Sequence, residues 1–131
     1  MKQLLTFILL VNVSLSYSQT ISFDSIQTIQ KGDFTEYISS NDIRFKIGDT
    51  LQIGAPSLND GFNFIVRYFN NNLGSLKKAT SNYSGYKAVI SKIKIVNSKC
   101  IIDAETKNSA GIMTFSIQFE EALKSKEVVI K

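Results

Sequence analysis

The chain reads as a mostly β protein, a small antiparallel barrel of the OB or SH3-like kind or a sandwich, with one short helix near the C-terminus. Three observations lead there. From Gln19 onward the apolar set is β-branched and aromatic, with sixteen Ile, five Val, eight Phe and four Tyr against five Leu, where a helical bundle would be rich in Leu and Ala. Apolar and polar residues alternate with period two along most of that stretch. Turn formers interrupt the alternation about every 8 to 12 residues, the spacing of short strands in barrels and sandwiches.

Residues 1–18 stand apart from this pattern. Lys2 supplies a positive start, residues 4–15 are apolar except for Thr6, Asn12 and Ser14, and Ser16 and Ser18 place small residues at the −3 and −1 positions of a signal peptidase site. The run is too short and too interrupted for a transmembrane helix, and no later apolar run approaches the ~20 residues of a span. The expected organisation is therefore a signal peptide at 1–18 and a single β-rich domain at 19–131, exported to the periplasm, the cell envelope or the medium. A domain of 113 residues buries roughly 65% of its unfolded surface, enough for a core without disulfides or metals. The lone Cys100 cannot bridge internally, and as an exported residue it is expected to be a small buried hydrophobe.

Each element has its own sequence reason. Ile21 and Phe23 alternate with Thr20, Ser22 and Asp24, and Ile43, Phe45 and Ile47 alternate with Arg44 and Lys46. Gly48-Asp49 then bends the chain before Leu51 and Ile53 resume the pattern, because glycine tolerates positive φ and aspartate bonds the turn backbone. Residues 62–69 form an aromatic strand, with Phe62, Phe64, Val66 and Tyr68 on one face and Asn63, Ile65, Arg67 and Phe69 on the other. Asn70-Asn71-Asn72 closes it, residues 73–85 read as a long surface loop, and a long strand covers 86–96. Cys100, Ile102 and Ala104 face one side of a hairpin whose return carries Met113, Phe115, Ile117 and Phe119. Asp103 and Glu105, opposite Thr114, Ser116 and Gln118, belong to its solvated face. Residues 120–126 switch to helical spacing with acids first and lysines last, and Val128-Val129-Ile130 make a closing strand.

Residues 43–57, Ile-Arg-Phe-Lys-Ile-Gly-Asp-Thr-Leu-Gln-Ile-Gly-Ala-Pro-Ser, and the ending at 119–128 resemble segments of small exported proteins of Bacteroidota. The resemblance covers about 25 residues of the domain and brings no assigned activity and no site residue with it.

Several kinds of chemistry lack their residues. There is no histidine, and no glycine-rich phosphate loop or calcium-loop spacing occurs, so neither a cofactor nor a metal is expected. Asp103 and Glu105 on one strand face stand ~6.5 to 7 Å apart, a spacing used by inverting glycosidases, and Ser/Lys pairs are abundant. An alternative reading is thus a small envelope hydrolase using carboxylates or a Ser/Lys pair. The leading reading is a non-enzymatic one, and it comes from charge. Residues 19–60 carry six acids and three bases, and residues 103–131 five acids and four bases. Between Phe62 and Ile102 lie seven bases, Arg67, Lys77, Lys78, Lys87, Lys92, Lys94 and Lys99, and no acid. Arg67, Lys77, Lys78, Lys87, Lys92 and Lys94, interleaved with aromatics, are the candidate ligand-binding residues. The expectation is a binding or structural module at the cell envelope, its partner an envelope polysaccharide, a lipid head group or a protein. Nucleic acid is not expected for an exported chain.

Overall fold

The structure is a computed structural model that describes residues 19–29, 31–69, 77–108 and 111–130. The expected signal peptide, the Asn70-Asn71-Asn72 stop and the hairpin tip at Ser109-Ala110 lie outside the described residues. In chain order the strands are β1 (Thr20–Ser22), β2 (Lys31–Phe34), β3 (Glu36–Ile38), β4 (Arg44–Lys46), β5 (Thr50–Ile53), β6 (Ile65–Phe69), β7 (Lys77–Lys78), β8 (Lys87–Val96), β9 (Lys99–Asn108), β10 (Gly111–Gln118) and β11 (Val128–Val129). Among the described residues one α-helix, α1 (Phe119–Lys124), joins β10 to β11, and 3-10 turns cover Phe23–Thr28 and Ser81–Tyr83. The mostly β expectation, with one short C-terminal helix, is what the structure has.

Seven strands run in the order β11-β5-β8-β9-β10-β6-β7 as one antiparallel sheet curled into a half-barrel, and β2 also pairs with β8. A small sheet, β1-β3-β4, stands beside it. The centre of the large sheet is the most local part of the sequence. β9 and β10 pair from Gly111↔Asn108 to Gln118↔Ile101, the register that the alternation predicts. Ile102, Ala104, Phe115 and Ile117 fill the concave side and are fully buried, while Ser116 and Asp103 pair on the convex side.

The curl comes from the way β8 shares one edge between two partners. Residues 87–89 pair with β5 and residues 93–96 with β2. At the changeover Gly48 N–H donates to the Ile90 carbonyl and Ile90 N–H to that of Asp49, both at 2.8 Å. A bulge between Ile90 and Lys92 lies at the same place, which adds twist where the sheet turns its corner. The bulge also resets the alternation: Ala88 and Ile90 are buried, Ser91 and Lys92 are both exposed, and Ile93 and Ile95 are buried again. Gly48 has φ +97°, and the Asp49 carboxylate accepts from Lys46 N–H at 2.8 Å, as the sequence led one to expect of this bend.

Two expectations change. The alternation at 20–24 suggested that the first strand would run on, but from Phe23 the chain coils into a 3-10 turn that buries Ile26. The stretch 73–85 was expected to be a loop throughout. Instead Lys77–Lys78 adds the short edge strand β7 to β6, and Tyr83 in the following turn sets its ring edge-on against Phe115 at 5.5 Å, covering the open side of the half-barrel.

The C-terminal elements fasten the rest. Phe119 is fully buried and meets Phe45 and Tyr37 edge-on at 4.6 and 5.9 Å, so it bridges the two sheets. Gly54 can have no side chain, because a Cβ there would stand 2.1 Å from the Lys126 carbonyl oxygen, and its N–H donates to the Glu127 carbonyl at 2.7 Å. β11 then pairs with β5. Cys100 is buried, as expected; burial, reinforced by the charges of Glu120 and Glu121, pushes its thiol pKa up.

Candidate functional site

The six candidate cations fall on three parts of the sheet. Lys92 and Lys94 lie on the convex face of β8, two residues apart and on the same side of the strand, with Lys87 on that face at the strand's other end. Lys77 and Lys78 lie on β7, four strands from β8 and so about 19 Å away along the sheet at ~4.8 Å per strand. Arg67 belongs to the concave side, in register with Phe115, and its guanidinium lies 5.4 Å from the centre of the Tyr83 ring, a cation–π contact. The lysines of β7 and of β8 are therefore not one patch.

Pairing across strands adds residues that the linear charge count could not. β2 brings Lys31 opposite Val96 and Asp33 opposite Lys94. Lys31, Lys92 and Lys94 thereby line one surface groove of ≈ 250 Å³ with Gly32, Asp33, Ile95 and Val96. Acids also enter this face. The Lys94 ammonium stands 3.6 Å from an Asp103 carboxylate oxygen, and Lys99 pairs with Glu121 at 3.8 Å. Among the described residues Lys31, Lys87, Lys92 and Lys107 have no carboxylate within 4 Å.

The other end of the convex face is shaped around Lys87. One depression of ≈ 410 Å³ is lined by Lys87, Val89, Glu105, Thr106 and Lys107. A second, of ≈ 200 Å³, is lined by Thr50, Leu51, Gln52, Lys87 and Val129. Lys87 separates the two. Lys107 and Gln52 reach this place through β9 and β5, and neither carries a signal in its own sequence neighbourhood.

Asp103 and Glu105 do share one strand face, but that face is not uniformly solvated. Asp103 is 6% exposed and Thr114 2%. Lys94 accompanies Asp103, and its second carboxylate oxygen has no hydrogen-bond partner among the described residues. The remaining buried acids hold loops. Glu120 accepts from Tyr37 O–H, from Ser40 N–H at 2.9 Å and from Ser40 O–H at 2.8 Å. Glu127 accepts from Asn63 N–H and Phe64 N–H, both at 2.8 Å, from Ser57 N–H at 3.1 Å and from the Ser57 hydroxyl. Among the described residues no three His, Cys, Asp or Glu side chains gather as a metal site would need, and no helix is long and apolar enough to cross a membrane.

Family models, curated proteins and solved structures offer no match to this chain.

Proposed function

We propose that the chain is an exported, non-enzymatic binding module that takes an anionic polymer of the cell envelope on the convex face of β8 and its neighbours. The observation that carries this reading is the set of four lysines, Lys31, Lys87, Lys92 and Lys107, on one sheet face with no carboxylate within 4 Å among the described residues. Exposed ammonium groups in shallow grooves raise the local concentration of a polyanion without needing a deep pocket. Two of the three buried carboxylates among the described residues support the non-enzymatic part, since Glu120 and Glu127 are occupied by backbone and hydroxyl donors.

The test is retention on a column of sulfated polysaccharide. The protein is expected to bind at low ionic strength and to release as the Debye length falls from about 30 Å at 0.01 M to about 10 Å at 0.1 M salt. Replacing Lys31, Lys87, Lys92 and Lys107 by Glu should abolish retention and leave the fold intact, since all four are exposed. Lys77→Glu with Lys78→Glu, on the far edge strand, should cost much less. Against the pair Lys87→Glu with Lys92→Glu, which changes the charge by the same amount as the β7 pair, equal loss would mean that only net charge matters.

A further inference from the structure

We propose that the depressions on either side of Lys87 form a saccharide subsite for one sugar residue bearing a carboxylate, sulfate or phosphate group. This deepens the binding reading above and rests on it. The larger depression, at ≈ 410 Å³, falls within the range of small-ligand sites. Three features select a sugar over a simple anion, and a fourth holds its charge.

The first is an acceptor without a donor. Gln52 Oε1 is buried and has no hydrogen-bond partner among the described residues, on the side chain that lines the smaller depression. Buried acceptors are normally satisfied, and a ligand hydroxyl would satisfy this one by displacing the side chain that covers it, with Lys87 the flexible one in the same lining. Second, Glu105 lines the larger depression together with Lys87 and Lys107. A carboxylate repels a bare polyanion but accepts hydrogen bonds from hydroxyls, so this mixture favours a ligand carrying both anion and O–H groups. Third, Val89 is 45% exposed and lines the larger depression, an apolar surface on which the C–H side of a pyranose can lie. Fourth, Lys87 and Lys107 are both exposed and line the same depression, so they can hold the anionic substituent from two sides.

The groove at Lys31 lacks this combination. It has lysines and one acid, Asp33, but no unsatisfied amide.

The experiment compares a heparin-derived hexasaccharide with a polyphosphate of equal charge, by titration and by amide chemical-shift mapping on the intact protein. The hexasaccharide is expected to bind about fivefold tighter, the worth of one net hydrogen bond, and to shift amides at 50–53, 87–89 and 105–107. Gln52→Leu should remove most of that preference while polyphosphate affinity holds. Equal affinity for the two polymers, or shifts centred on 31–33 and 92–96, would overturn the subsite and leave the anion-binding reading standing. Binding of neither polymer would overturn both. Should Gln52→Leu fail to fold, the two titrations and the map of the unaltered protein decide alone.

Discussion

Glu127 and Asp103 are both buried carboxylates in the same domain, and they are held in opposite ways. Glu127 is fully enclosed and receives four donors, three of them backbone N–H groups of the 57–64 connection. Asp103 has one lysine at 3.6 Å, itself 30% exposed, and one oxygen with no partner among the described residues. Fixed backbone dipoles aimed at both oxygens stabilise a buried charge without a counter-ion. A single flexible ammonium offsets desolvation poorly. The first arrangement organises a loop; the second only tolerates an acid on a strand.

The comparison can be broken most sharply at Glu127. Glu127→Ala leaves the Ser57, Asn63 and Phe64 donors without their acceptor and should destabilise the domain by about 3 kcal/mol, read as a lower urea midpoint. A loss below 1 kcal/mol would show that the connection is held by other contacts.

Glu120 gives the intermediate case through its partner Tyr37. Burial first, and then the hydrogen bond to Glu120, raise the Tyr37 phenol above its ordinary pKa of 10.0, and burial raises Cys100 above 9.0. Both groups are neutral in the native state. The unfolded chain releases these protons first, so stability is complete below pH 9 and declines as pH rises beyond it, by about 1.4 kcal/mol per pH unit for each group titrating. Urea melts between pH 8 and 11 should show that slope, and Tyr37→Phe with Cys100→Ala should flatten it.

Asp103 should show the smallest effect. Asp103→Val removes a charge with only one partner and fills the strand position with a β-branched residue, so stability should change by less than about 1 kcal/mol. A loss comparable to that of Glu127→Ala would mean that the two acids are equally well held.

Legibility in the sequence follows the same division. The β9–β10 hairpin and the Gly48-Asp49 bend were readable because each is fixed by residues close in the chain, and the closing strand because its apolar run Val128-Val129-Ile130 marks it even though its partner β5 is distant. The bulge in β8 left a trace, since the apolar spacing shifts from Ala88-Ile90 to Ile93-Ile95, yet a uniform strand through 86–96 hides it. The acceptor roles of Glu120 and Glu127 left none, because the donors of Glu127 are mainly backbone N–H groups, present at nearly every residue, and those of Glu120 lie about 80 residues away in the chain. The same holds for the face around Lys87. The linear charge count found Lys87, Lys92 and Lys94, but Lys31, Gln52 and Lys107 join them only through strand pairing, and Lys77 and Lys78 leave them for the same reason.

The span of the carboxylate contacts sets an order in time. β8, β9 and β10 assemble from residues 87–118, adjacent strands joined by short turns, and such contacts form early. Tyr37 and Glu120 are 83 residues apart, and Ser57 and Glu127 are 70 apart. Closing a loop of that length costs about 2 kcal/mol more than closing one of about ten residues. The central sheet can therefore stand before its flanking loops are fixed. In the last stage of folding the connections at 39–43 and 57–64 remain open, until α1 and the turn after it carry the two glutamates into place.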